Sequence, residues 1–233
     1  MGRSSPASLA RHAKPARVGF WPGFIVAGLL SFFVASQIIL RLRRKLNPQP
    51  MPARLAPFLS QPFRSRMFGT AEQIIERAGV RPGMRVLEIG PGPGHFTVPL
   101  ARRVVEEGKD GSITCVEIQQ EMIEMLHQRL HAEQISNIEV IQGDAQQLPL
   151  PADSFDMVFL VTVVGEVPDE SALFRECARV LKPGGIVAVT EQISDPDYRF
   201  PGTVRQQALN AGLQDAGYTG FRWWSYTARY RKP

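Results

Sequence analysis

Three alternating glycines, Gly90, Gly92 and Gly94, stand directly behind the apolar run Arg85-Val-Leu-Glu-Ile89. Glycine lacks a Cβ, so a chain built this way can turn sharply and let a ligand approach main-chain amides. An acid, Glu88, stands two residues before the first glycine. A second acid, Glu117, closes another apolar run 23 residues after Gly94, near the distance at which nucleotide folds place a ribose-binding carboxylate. A carboxylate there accepts from both ribose hydroxyls; its bland reading is a surface acid at a strand end. A third acid, Asp144, lies in Gln142-Gly-Asp-Ala145 behind a third run, where it can also close an Asx turn leading to Leu148-Pro-Leu-Pro151.

The glycine spacing narrows the nucleotide. A dinucleotide fingerprint started at Gly90 needs its last glycine at His95, which disfavours a nicotinamide-dependent oxidoreductase. Further candidates lie where strand ends meet loops: Glu166 in Thr162-Val-Val-Gly-Glu-Val-Pro-Asp169, then Glu191, Asp195, Asp197 and Tyr198. These are candidate substrate contacts, and no catalytic residue is singled out. His127 and His131 have metal-binding spacing on an expected helix, but no third ligand accompanies them, so no metal is expected. Cys115 and Cys177 have neither disulfide nor zinc spacing and read as buried small hydrophobes. There is no Ser-His-Asp order, Walker lysine motif or cysteine nucleophile.

Helices and strands must alternate to position these groups. Hydrophobic periodicity predicts a helix at 70–78, a strand at 85–89, a helix near 96–107 and a strand at 112–117. A helix at 120–134, strands at 137–142 and 157–162, a helix at 170–181 and a strand at 186–191 follow. The tail predicts a helix at 203–216, then Phe221-Arg-Trp-Trp224 and Tyr226-Thr-Ala-Arg-Tyr-Arg231. Such alternation is that of an α/β, Rossmann-like, doubly wound and mostly parallel sheet.

The segments and their order, over residues 70–233, resemble the class I S-adenosylmethionine (SAM)-dependent methyltransferases, including the type 11 group with its quinone- and lipid-methylating members. The resemblance implies SAM as cofactor and a C-terminal antiparallel hairpin. It implies that Gly90, Gly92 and Gly94 cradle the methionine part and that Glu88 helps through the amino group or a bound water. Glu117 would hold the ribose; Asp144 and the Ala145 amide would meet the adenine. Methyl transfer needs no nucleophilic protein residue, because the sulfonium is already an activated leaving group. A general base is needed only if the acceptor must lose a proton. A SAM-binding fold without catalysis, serving a membrane assembly or regulatory role, is the rival reading.

Charge divides the chain. Residues 1–66 hold eleven Lys/Arg and no acid, while the remaining residues share sixteen Lys/Arg with all 22 acids, a formal −6 against +5 for the whole. An acidic site domain excludes nucleic acid as the expected partner. The basic residues instead flank Val18–Leu40, 23 residues without a charge, long enough as a helix to span a hydrocarbon core. Trp21 lies near one end, and Arg41, Arg43, Arg44 and Lys45 close the other. The expected organisation is a basic tail (1–17), a single transmembrane helix (18–40), a basic Pro-rich linker (41–69) and the SAM domain (70–233). In the linker, Leu55, Phe58, Leu59 and Phe63 are spaced as one apolar face, either packed on the domain or seated on lipid. Positive-inside bias puts the SAM domain in the cytoplasm. A hydrophobic or lipid-like acceptor follows from that location; the oligomeric state does not follow from the sequence.

Overall fold

The computed structural model describes residues 21–55 and 66–233. The chain divides into two units, residues 1–40 and residues 41–233. Helix α1 is Trp21–Leu46, so it continues through the basic cluster instead of stopping at Leu40. Among the described residues no helix is long and apolar enough to cross a membrane. The first part of the expected span, residues 18–20, and the linker residues Phe58, Leu59 and Phe63 lie outside the described residues.

The second unit is a seven-stranded sheet of order β3-β2-β1-β4-β5-β7-β6. Its strands are β1 (Arg85–Ile89), β2 (Ser112–Glu117), β3 (Ile138–Gln142), β4 (Phe155–Val161), β5 (Leu181–Gln192), β6 (Gln214–Phe221) and β7 (Ser225–Arg231). The first five are parallel, and β7 runs antiparallel to both β5 and β6. Helices α2 (Ala71–Ala78), α3 (Thr97–Val104) and α4 (Gln120–Ala132) supply Ile74, Leu100 and Leu126 to one buried cluster with Val86 and Phe159. Helices α5 (Glu170–Val180) and α6 (Pro201–Asn210) supply Phe174 and Val204 to a second cluster with Leu87 and Val158. Adjacent strand residues thus feed opposite layers, as the pleat requires. This is the doubly wound architecture the alternation predicts.

Helix α2 begins with a reciprocal capping box, Thr70 accepting from the Gln73 amide and Gln73 from the Thr70 amide. The tail departs from expectation. The helix expected over 203–216 ends at Asn210, and Gly212, at φ +83°, turns the chain into β6. The hairpin is therefore longer than the sequence suggests, and Arg222, Trp223 and Trp224 form its turn rather than a strand. Strand β5 also starts earlier than expected, at Leu181. Its pairing with β4 jumps from Phe155–Leu181 to Met157–Ile186, which leaves Lys182–Gly185 as an excursion.

Candidate cofactor site

A cleft of about 370 Å³ opens where the chain leaves the C-terminal ends of β1, β2 and β4. That is where a doubly wound sheet binds its ligand, because the strand order reverses there. The glycine loop forms its floor, and the three glycines serve different ends. All three have positive φ, +65°, +53° and +82° for Gly90, Gly92 and Gly94. A Cβ at Gly90 would come within 2.8 Å of Val163 Cγ2, and one at Gly94 within 2.6 Å of Leu126 Cδ1. These two glycines let the loop pack on its own domain. At Gly92 the nearest side-chain atom, Met122 Sδ, is 4.0 Å away, so the space above it is open to a ligand. Gly90 and Gly92 line the cleft, while Gly94 supports the loop from behind.

Glu117 lines the cleft and is 5% exposed. Its Oε1 accepts from the amides of Ile118 (2.9 Å) and Gln119 (3.0 Å), and its Oε2 accepts from the amide of Gly92 (3.1 Å). These bonds tie the acid at the end of β2 to the glycine loop. Burial raises its pKa, and the three amides oppose the rise by favouring the charged form. Asp144 and Ala145 line the same cleft beyond β3. Asp144 is exposed and accepts from the Gln146 amide at 2.8 Å, so it does close an Asx turn. The turn fixes its carboxylate at the rim, so the local and the ligand-binding readings are compatible.

Glu88, expected to help through the amino group or a bound water, stands behind the cleft wall. It does not line the cleft; it lies under the loop at 3% exposure, where the Cys115 thiol donates to it at 3.6 Å. Burial is the main cause that lifts its pKa to about 7, and the nearby Glu117 charge adds to the rise.

The candidate substrate contacts divide in the same way. Glu166 and Asp195 line the cleft. Glu166 sits on the short 3₁₀ turn after β4, and its Oε2 accepts from the Met51 amide at 3.3 Å. Burial, with the like charges of Asp195 and Asp197, raises its pKa to about 8. Glu191, Asp197 and Tyr198 do not line the cleft. Glu191 is fully buried beside Tyr198 and Tyr226, accepts from the Arg199 amide at 3.2 Å, and has its pKa pushed well up by burial. Strand alternation explains this: Gln192 faces the cleft, so its neighbour must face the other layer. Asp197 pairs with Arg44 at 3.4 Å, and the Tyr198 hydroxyl donates to the Arg222 carbonyl.

Sequence reasoning missed several lining residues. Thr162, just beyond β4, has φ +54°, an uncommon backbone for a β-branched residue, and its amide donates to the Thr190 carbonyl at 2.9 Å. Pro50 and Met51, read only as linker, roof the cleft. The Met51 carbonyl accepts from Gln119 Nε2 at 3.0 Å, so one residue bridges the Glu117 side and the Glu166 side. The Pro-rich composition of 46–66 signalled a broken helix but not its destination. Among the described residues no group of His, Cys, Asp and Glu is arranged to hold a metal.

The comparisons with known proteins agree with this geometry. A family model described as a methyltransferase domain matches residues 87–189, from β1 through most of β5. Over that stretch the chain is similar to a class I SAM-dependent methyltransferase domain. SAM is the cofactor of that domain, and the open Gly92, the amide-held Glu117 and the rim Asp144 fit it. The chain is 36% identical over 118 residues to the ubiquinone/menaquinone biosynthesis C-methyltransferase UbiE of Shewanella woodyi, covering 50% of this chain and 46% of that protein. It is 32% identical over 120 residues to the demethylmenaquinone methyltransferase of Staphylococcus aureus, covering 52% and 48%. The chain thus spans about half the length of the curated relatives it matches. The crystal structure of a SAM-dependent methyltransferase from Aquifex aeolicus superposes with a TM-score of 0.70 over 78% of this chain and 98% of that one, at 20% identity. That likeness concerns the fold.

Proposed function

We propose that this chain is a membrane-associated methyltransferase that uses SAM to methylate a lipophilic acceptor of the isoprenoid-quinone or lipid type. The observation that carries the reading is the two-part lining of the cleft. One part, Gly90, Gly92, Glu117, Asp144 and Ala145, suits a nucleoside; the other, Met51, Val161, Val163, Val167 and Pro168 with Glu166 and Asp195, suits an apolar molecule bearing a polar group. The quinone-biosynthetic names of the relatives support that acceptor class.

SAM, when bound, supplies a methyl group on a sulfonium. Each protein group then has a defined task. Gly92 leaves room for the ligand and presents backbone to the methionine part. Glu117 accepts from the ribose hydroxyls, and Asp144 from the adenine amino group, with the Ala145 amide against the ring. Glu88 acts from beneath, by supporting the loop. Glu166 is protonated over much of the neutral range and hydrogen-bonds an acceptor hydroxyl or carbonyl; ionised, it takes the proton that an attacking hydroxyl must lose. The apolar wall and the Pro50–Met51 roof exclude water and hold the acceptor in line with the methyl.

Membrane association rests on the uncharged stretch that ends in Arg41, Arg43, Arg44 and Lys45, and on Ile38, Ile39 and Leu42 of α1, whose side chains are exposed. The positive-inside bias favours a cytoplasmic domain. The test is to incubate membranes and the full chain with SAM labelled on its methyl, then partition the label. Label in the lipid extract supports the proposal. SAM affinity without transfer to any fraction points to the non-catalytic module instead.

A further inference from the structure

At the hairpin turn an aromatic cluster keeps much of its surface outside the core. Phe200, Phe221, Trp223 and Trp224 are 46%, 63%, 51% and 42% exposed. They lie on or beside one turn. The Phe200 and Trp223 rings meet edge to face at 5.2 Å, and the Trp224 amide donates to the Phe221 carbonyl at 2.9 Å. The Arg222 guanidinium lies 5.2 Å over the Trp223 ring. Trp224 stacks at a tilt on Phe68, and its indole N–H donates to the Met67 carbonyl at 2.6 Å. The indole's polar edge is therefore satisfied by protein, while much of its ring remains outside. Single exposed rings are ordinary, but several gathered at one turn mark a binding surface.

One residue ties the patch to both the basic cluster and the cleft. The Ile193 amide donates to the Trp224 carbonyl at 2.8 Å, and its carbonyl accepts from Arg41 at 2.5 Å. The residue before it, Gln192, lines the cleft, as does Asp195 just beyond. Arg44 pairs with Asp197 on the same loop. Aromatic rings, the arginines around them and the cleft wall thus share one corner of the domain. Aromatic side chains with flanking arginines match the boundary between headgroups and acyl chains, where rings meet the apolar side and guanidiniums meet phosphate.

We propose that Phe200, Phe221, Trp223 and Trp224, with Arg222, form a lipid-interface contact that seats the mouth of the cleft on the membrane. A lipophilic acceptor then reaches the site without crossing water. The inference rests on the membrane reading above. Its test uses the full chain with Trp21→Phe, which leaves Trp223 and Trp224 as the only indoles among the three tryptophans of the sequence. Unchanged SAM affinity establishes that the variant is folded. It is reconstituted with vesicles of phosphatidylcholine and phosphatidylglycerol, recovered by flotation, and read by tryptophan emission. Phospholipid brominated near the headgroup end of its chains should quench that emission by more than about half, and aqueous iodide should quench it little.

Floating protein whose tryptophans answer to iodide and not to bromine overturns the seat and leaves the membrane reading standing. Shielding from both quenchers means the patch is covered by protein and also overturns it. Failure to float removes the membrane reading itself, and the seat with it.

Discussion

Glu117 concentrates much of the proposed cofactor chemistry in one carboxylate, because the groups that orient it are backbone amides of the glycine loop and of its own strand end. Replacing it with Gln puts an NH₂ against N–H donors and removes the charge that ribose hydroxyls would meet. Hydrogen bonds to a charged group contribute about 1.5–3 kcal/mol, so Glu117→Gln should weaken SAM binding at least about tenfold by calorimetry. The glycines offer a sharper contrast. Gly92→Ala places a methyl in open space and should lower SAM affinity, with a melting loss limited to the strain of its positive φ, about 1 kcal/mol. Gly94→Ala drives a methyl into Leu126 and should cost more stability than Gly92→Ala, as paired thermal melts would show. Glu88 is one source of pH dependence, beside Glu117, Glu166 and Glu191. Its folded pKa of about 7 lies above the ordinary carboxyl value of 4.5, so between these values the folded state holds a proton the unfolded chain has lost. Stability should therefore fall as pH rises through that window, by on the order of 3 kcal/mol from this residue, and level off above it. Glu166 adds a fall in the same direction extending to about pH 8. Urea unfolding across the range should show a shallower fall for Glu88→Gln than for the wild type; an unchanged slope would exclude Glu88 as a source.

Among the elements, the loop after β5 and the turn after β4 stand against each other with no spare volume. A Cβ on Gly165 would fall inside the Asp197 carbonyl, so Gly165→Ala must push the 193–199 loop away from Glu166. The expected result is a melting temperature several degrees lower, about 2 kcal/mol, and loss of the Glu166–Asp195 grouping. Which elements were legible follows from periodicity. β1, β2 and α5 were readable to within a residue, since their apolar spacing matches one template. β6 was not, because Gln214–Phe221 is exposed along nearly its whole length and shows no alternation to read. The helix was accordingly extended into it, past the left-handed Gly212 that ends the turn. At the site, strand–loop spacing brought Gly90, Gly92 and Glu117 to one cleft, and the family resemblance pointed to Asp144 and Ala145, which line the same cleft. Glu191, which does not line the cleft, was misplaced because position at a strand end does not tell which face a side chain takes, and Asp197 and Tyr198, in the loop beyond, are held by other partners, Arg44 and the Arg222 carbonyl. Thr162 and Met51 gave no signal, one being a matter of φ and the other of a long-range hydrogen bond.

Across the molecule, an acidic SAM domain follows a basic, apolar N-terminal region, and the aromatic hairpin turn and Arg41 meet at Ile193. Chemistry and location are therefore separable by experiment. Purified full chain, given SAM and lipid extract from membranes that lack it, should convert SAM to its demethylated product while one lipid-soluble compound gains the mass of a methyl in place of a hydrogen. Both changes should be lost together in Glu117→Gln. Binding of SAM with no demethylated product and no mass gain in any fraction would contradict the account.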